Sequence, residues 1–209
     1  MADSKCSKCR RAGIKLFLKG EKCLSPKCPL TMKPYPPGQK SKKRARQLSE
    51  YGKELREKQK LKSWYNLGER QFRNYVREIL KKRGKVEDAA ALLVENLESR
   101  FDNVVFRLGF ASSHTQARQL INHGHFLVNG KNVDIPSYHT KIGDVITLHP
   151  SSAKSKLFSD KAADLKKHQA PSWLRLDPDK KEGEVMGKPV LEEVSPPADI
   201  LSIFEFYSR

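Results

Sequence analysis

Between residues 49 and 83 the apolar side chains recur at helical spacing. Phe72, Val76, Ile79 and Leu80 fall on one face, and Gly84 stands where a C′ glycine would end the helix. Glu54 and Lys58, four positions apart, suit a helical ion pair. Arg70, Arg73, Arg77, Lys81 and Lys82 share the stretch, so one face is apolar and others are basic. Trp64 and Tyr65 are expected to pack into this small helical core. A second helical stretch is expected over 86–108, with Glu87 and Asp88 favourable at its start. Leu93, Leu97, Phe101, Val104, Val105 and Leu108 supply its buried positions.

After Gly109 the spacing changes. Ser113 with Gln116 fits a capping box, Ala117, Leu120 and Ile121 give a buried stripe, and Gly124 stops the helix. Phe126–Val128 then reads as a strand, Asn129-Gly130 as a type I′ hairpin turn, and Asn132–Ile135 as the partner strand. Gly143-Asp144 is another turn, and Val145–Leu148 closes a small antiparallel sheet. Near the amino terminus, Ile14–Leu18 suggests one short strand. Pro34-Tyr35-Pro36-Pro37-Gly38 marks a stiff extended linker, followed by the basic burst Lys40, Lys42, Lys43, Arg44 and Arg46. Residues 150–172 are helical or loose. The fold class is therefore α+β. A cysteine-bearing segment (1–33) leads through a Pro-rich, basic strap (34–48) to a helical domain (49–96). A small module of two helices feeding a sheet (97–160) follows. A carboxyl-terminal segment (161–209) completes the chain, its part from 173 onward expected to pack back on the helical domain.

Charge sharpens this organisation. Among 209 residues, 41 Lys and Arg face 24 Asp and Glu, a net +17. Residues 1–96 hold 26 basic and 10 acidic residues, so nearly all the excess sits in the first half, whereas residues 177–209 hold 4 basic and 8 acidic. Concentrated positive charge opposes compaction unless a polyanion neutralises it, and a phosphate backbone is the commonest such partner. No apolar run approaches the roughly 20 residues that span a bilayer, and no amphipathic anchor sets bulky apolar residues opposite the basic face. The amino terminus carries no apolar signal region, so neither membrane insertion nor secretion is expected.

The cysteines fall as Cys6-x2-Cys9 and, thirteen residues on, Cys23-x4-Cys28. Such pairs form knuckles that together complete a tetrahedral four-thiolate site, with Zn²⁺ the leading occupant and an iron–sulfur cluster left open by spacing alone. Four thiolates leave no open coordination position, which favours a structural role. Unmetallated thiols are the plain alternative. His114, His123, His125 and His139 are close in sequence and serve either local hydrogen bonding or phosphate contact. Asp102, Asp134 and Asp144 read as helix and turn residues. The chain has no GxSxG, no phosphate-binding glycine loop with a following lysine, and no HExxH. An enzyme is not expected.

Several stretches carry a resemblance. They include Lys15–Gly20, Pro34–Gln39, Leu55–Leu61, Glu69–Phe72, Arg100–Gly109, Ala117–Leu120, His123–His125, Val128–Gly130, Ile135–Tyr138 and Glu205–Arg209. In these the chain resembles the family of bacterial small-subunit ribosomal protein number four, almost end to end. The resemblance implies a small RNA-binding module inserted into a mainly helical domain. It also implies contact with a multi-helix junction in the 5′ domain of small-subunit rRNA early in assembly. Proteins number five and three would flank it near the mRNA entry channel, with an effect on translational accuracy, and some relatives repress their own mRNA. Its cysteines match the family's zinc-binding form, and His114 stands where relatives often carry a basic residue.

The leading expectation is thus a ribosome-bound, cytoplasmic, structural rRNA-binding protein that does not form homo-oligomers. Its expected contacts are Arg44 and Arg46 in the strap; Lys58, Arg70 and Arg73 on the helical domain; and Arg100, Arg118, His123, Lys131 and Tyr138 on the module. An RNA-modifying enzyme sharing the module is the runner-up, though the flanks offer no catalytic domain. A zinc-dependent DNA-binding regulator comes third, lacking a recognition helix after the knuckle.

Overall fold

The computed structural model describes residues 5–38, 47–82, 88–153, 155, 158 and 161–209. Most of the expected basic strap, with Arg44 and Arg46, lies outside these described residues, as do Gly84 and Glu87. The helices are α1 (Lys5–Ala12), α2 (Glu21–Leu24), α3 (Pro29–Met32), α4 (Glu50–Trp64), α5 (Glu69–Lys81), α6 (Ala89–Glu98), α7 (Phe101–Arg107), α8 (His114–Asn122), α9 (Pro150–Ala153), α10 (Ala162–Lys167), α11 (Leu191–Val194) and α12 (Ile200–Ser208). The strands are β1 (Phe126–Val128), β2 (Lys131–Asn132), β3 (Val145–Leu148), β4 (Leu174–Asp177) and β5 (Glu182–Val185). The architecture is α+β. One unit joins residues 1–93 to 195–209, and the other comprises residues 94–194.

In the first unit the Ser49 side chain caps α4 by accepting from the Gly52 N–H. The expected helix over 49–83 is two helices, because Asn66 turns the chain at φ 52° and Gly68 then starts α5. The helical spacing on both sides hid these turn formers. α12 packs on α4 and α5 and buries Ile200, Ile203 and Phe204. Tyr51 meets Phe206 at 5.4 Å between ring centroids, and Phe72 meets Tyr207 at 6.3 Å. The expected Glu54–Lys58 pair is replaced by tertiary partners. Arg209 Nη2 lies 2.7 Å from Glu54 Oε1, and Lys58 Nζ lies 2.6 Å from Glu69 Oε1.

The run Ile14–Leu18 is not a strand: Phe17 sits at φ 50°, outside any extended conformation. Leu16 and Leu18 instead bury against Cys9 in a small core that also takes Ala12, Ile14, Leu30 and Trp64. Arg10 fixes the start of the Pro-rich linker. Its Nε donates to the carbonyls of Lys33 (3.1 Å) and Tyr35 (2.8 Å), and its guanidinium lies over the Tyr35 ring.

The stretch 86–108 also divides, into α6 and α7. The break at Arg100 (φ −67°, ψ 139°) has a tertiary cause. The first α7 amides, of Phe101 and Asp102, donate to the carbonyls of Tyr138 (2.8 Å) and Pro136 (3.1 Å) rather than back along a helix. Ser113 caps α8, while Gln116 reaches back one residue further than a capping box requires, accepting from the Ser112 N–H at 2.8 Å. Asn129 (φ 48°) and Gly130 (φ 76°) make the type I′ turn. Asn129 then pins the hairpin to β3: its Oδ1 accepts from the Val145 N–H, and its Nδ2 donates to Asp144. β2 covers only Lys131–Asn132, so the expected strand through Ile135 leaves the sheet early.

The sheet has five antiparallel strands in the order β2-β1-β3-β5-β4, two more than the sequence suggested. β5 joins β3 with Val145 opposite Glu184, and β4 joins β5 with Leu174 opposite Val185. This corrects the expected boundaries: residues 161–194 belong to the sheet-bearing unit, and only 195–209 return to the helical one. The buried face of these strands was hidden in an acidic, proline-containing background. Gly183 shows how closely a helix approaches there, since a Cβ at this position would run into Leu108 Cδ1. The core under the sheet includes Phe101, Leu108, Phe110, Phe126, Ile146, Phe158 and Trp173. Among the described residues no helix is long and apolar enough to cross a membrane.

Candidate nucleic-acid interface

α5 divides into two faces. Phe72, Val76 and Ile79 are buried, while Arg70, Arg73, Arg77 and Lys81 are exposed and recur every three or four residues, so they form one cationic stripe. Arg77 and Lys81 belong with the expected contacts Arg70 and Arg73, and the helical period was the signal that links them. Lys58 does not. Its side chain is buried, paired to Glu69, and its Nζ lies 4.6 Å from the centre of the Phe206 ring. Partial burial pushes the Glu69 carboxyl up, but hydrogen bonds from Lys58, Lys62 and Tyr207 outweigh it and hold the group at about 2. Lys58 therefore joins helices; it is not a phosphate contact.

In the second unit α7 and α8 bring together a buried polar network. Arg100 is 2% exposed, and its Nε and Nη2 fork onto Asp102 at 3.0 and 2.8 Å. Arg118, partly exposed, reaches the same Asp102 carboxylate at 2.5 Å. Arg107 forks onto the buried Glu98, and Asn103 bridges Glu98 to His114. Arg100 is thus a correction to the expected contacts, its guanidinium spent on Asp102. Tyr138 is half-buried against the core, edge-on to Phe101 at 6.2 Å, which makes it chiefly a packing residue. His123 and Lys131 are exposed, and Gly124 lies against Asn132, so α8 and the hairpin present them on neighbouring segments.

The four histidines are not one group. His123 and His125 have ring centroids 6.0 Å apart, and His125 Nδ1 pairs with Ser152 Oγ at 2.8 Å. His139 meets Ser99, and His114 is buried against Phe106. His114 therefore offers nothing to a phosphate. Because Asn103 Nδ2 donates to Glu98, its Oδ1 accepts from His114 Nε2–H at 2.9 Å, which fixes the neutral tautomer. Burial lowers the His114 pKa from near 6.5 to about 3, with the nearby Arg107, Arg118 and Arg100 adding to the effect against Asp102. Below pH ~6.5 the unfolded chain takes up this proton and the folded unit does not, so stability falls with pH. The expected loss is about 1.4 kcal/mol per pH unit down to pH ~3. Urea unfolding at pH 7 and pH 5 checks it: His114→Gln is expected to remove that part of the pH dependence, and an unchanged dependence would count against a neutral buried ring.

All four cysteine thiols are free and line one small cleft with Lys19 and Lys22. Cys9, Cys23 and Cys28 are buried, and the Lys19 N–H points at Cys23 Sγ at 3.4 Å. Burial pushes the Cys9 thiol up. At Cys28 the same effect is outweighed by the Leu30 and Thr31 amides and by the Lys15 charge, and its pKa falls. Among the described residues no three His, Cys, Asp or Glu side chains are grouped so as to hold a metal ion.

A cationic helical stripe in one unit, and His123 and Lys131 exposed on neighbouring segments of the other, suit a nucleic-acid-binding protein. Comparison with known proteins agrees in detail. Residues 1–95 match the family described as "Ribosomal protein S4/S9 N-terminal domain", and residues 99–146 match "S4 domain". "Small ribosomal subunit protein uS4" of Thermus thermophilus is 47% identical over 204 residues, covering 98% of this chain and 96% of its own. The proteins of the same name from Syntrophomonas wolfei and Thermotoga maritima are 45% and 44% identical; the alignments cover 99% and 98% of this chain, and 98% and 96% of theirs. The chain belongs to the uS4 family of small ribosomal subunit proteins.

Proposed function

We propose that the chain is a structural, non-catalytic component of the small ribosomal subunit that binds small-subunit rRNA at a helical junction of its 5′ domain. The observation that carries this reading, beside the family, is the arginine stripe of α5, whose opposite face is buried and whose charges are therefore held in place. A-form RNA hides its base edges in a deep major groove, so such a protein reads shape and phosphates rather than sequence. Arg70, Arg73, His123 and Lys131 are the contacts that the geometry favours, with Arg118 limited by its ion pair and Arg44 and Arg46 resting on sequence alone. The acidic surface near the carboxyl end suits protein neighbours, numbers five and three, beside the mRNA entry channel, in a cytoplasmic ribosome.

The test is binding to a small-subunit rRNA transcript and to an unrelated structured RNA of equal length over a salt series. A large rRNA advantage at physiological salt is expected, with Arg73→Gln reducing the salt slope by about one. Equal binding of both RNAs would reduce the affinity to charge alone and sink the reading.

The four thiols suit a structural Zn²⁺, which Cys6, Cys9, Cys23 and Cys28 would hold. The donor set fits: three sulfurs are buried in a segment whose own apolar core is small, and lysines stand by to offset the thiolate charge. Bound metal would supply folding energy to this segment and no chemistry. One zinc per chain is expected from elemental analysis, lost in Cys23→Ser together with exchange protection over residues 5–33. Iron with a visible absorption band would replace zinc by a cluster, and neither metal would refute the site.

A further inference from the structure

α4 has a second face, turned toward α1 rather than toward α5 and α12. Glu54, Lys58 and Leu61 point into the unit, and two of the three acids of α4 are engaged: Glu54 with Arg209, and Glu57 with Lys60 and the Asp199 amide. The other face, Gly52, Leu55, Arg56, Gln59 and Ser63, repeats every three or four residues along one side of a cleft of about 480 Å³. α1 supplies the opposite wall with Lys8 and Arg11, and Leu16 forms part of the floor. Lys62 completes the rim. Among the described residues four cations line this space, and no acidic side chain does.

The volume lies within the ~300–1,000 Å³ of ordinary ligand sites, and the lining combines an apolar floor with a cationic rim. An apolar floor suits the flat ring of a base, and a cationic rim suits the phosphates on either side of it. A-form duplex presents its backbone across grooves and has no use for an apolar recess. The cleft is also continuous with the α5 stripe. Lys62 on its rim is ion-paired at 2.8 Å to Glu69, the residue next to Arg70, where the stripe begins. RNA lying along the stripe therefore passes the mouth of the cleft.

We infer that this cleft receives one unpaired nucleotide of the bound RNA. The base rests on Leu55, Gln59 meets its edge, and Lys8 and Arg56 hold the flanking phosphates. The inference rests on the rRNA-binding reading and adds to it a site for a nucleotide splayed out of the stack.

Gly52 provides the test. A Cβ there would meet nothing nearer than 3.4 Å, so the backbone accepts a side chain at this position, and Gly52→Leu is expected to narrow the cleft that Gly52 lines. Replacing a helical glycine also favours the helix, so the variant is expected to melt no lower than the wild type. Its affinity for the small-subunit rRNA transcript is expected to fall about tenfold with the salt slope unchanged. Arg56→Gln is expected to lower the slope by about one instead. Chemical probing of the complex should show one unpaired base protected by the wild type and exposed in Gly52→Leu and Gln59→Ala, the second variant altering only an exposed side chain. Wild-type affinity and protections in a stably folded Gly52→Leu would overturn the nucleotide site while leaving rRNA binding intact. Protection of duplex backbone alone, or loss of a neighbouring subunit protein with RNA binding kept, would overturn it too. If the wild type shows no rRNA preference, the broader reading fails before the cleft is at issue.

Discussion

Asp102→Asn is expected to destabilise the sheet-bearing unit by about 3–5 kcal/mol, the cost of leaving a buried charge without its counter-charge. Asp102 holds Arg100, which is fully buried, and Arg118, which is not. Asparagine keeps the shape and loses the charge, so the loss reports electrostatics rather than a cavity. Arg118→Gln is the control. With its side chain 27% exposed, Arg118 can draw on solvent, and its loss is expected to cost only about 1 kcal/mol. Urea unfolding followed by Trp173, which belongs to this core, measures both. Equal losses for the two variants would mean that Arg100 does not depend on Asp102.

The second large effect is at the other end of the chain. Deleting residues 200–209 removes Ile200, Ile203 and Phe204 from the helical unit, each worth about 1.5–3 kcal/mol when buried, or roughly 4.5–9 kcal/mol together. It also removes Tyr207, which donates to Glu69, and Arg209, which neutralises the buried Glu54. Domains of this size are stable by only about 5–15 kcal/mol, so the unit is expected to lose its fixed packing. Residue-resolved hydrogen exchange should then show Phe72, Val76 and Ile79 unprotected while residues 126–148 keep their protection. Retained protection in α5 would show that α4 and α5 stand without α12.

The sequence made local features legible. Asn129-Gly130, the Ser113 cap and the apolar stripes of α5 and α8 were readable because each depends on residues within a turn or two of one another. What could not be read was set by partners far along the chain. Glu54 and Lys58 looked like a helical pair, but the fold offered Arg209 and Glu69, and a closer tertiary partner displaces a surface one. Arg100 and Arg118 looked alike as cations; only the depth of Asp102 separates a buried strut from a half-exposed one. The break between α6 and α7 depends on carbonyls at 136 and 138, which no helical period announces. β4 and β5 were missed because outward residues of those strands are charged, and so the segment resembled a loop. At the candidate interface, the α5 arginines were legible from period and charge. The cleft beside α4 was not, since it needs a second helix to give it a wall.

The helical unit is built from both ends of the chain, with the whole sheet-bearing unit encoded between them. During synthesis the amino-terminal helices emerge first and wait, while the intervening unit already has all of its own residues. Only when residues 200–208 have been made does α12 become available to close the earlier helices. A product cut short by a broken message or a stalled ribosome thus carries most of the basic charge without the scaffold that orders it. For this protein, the ordering of that charge waits on translation having passed α12.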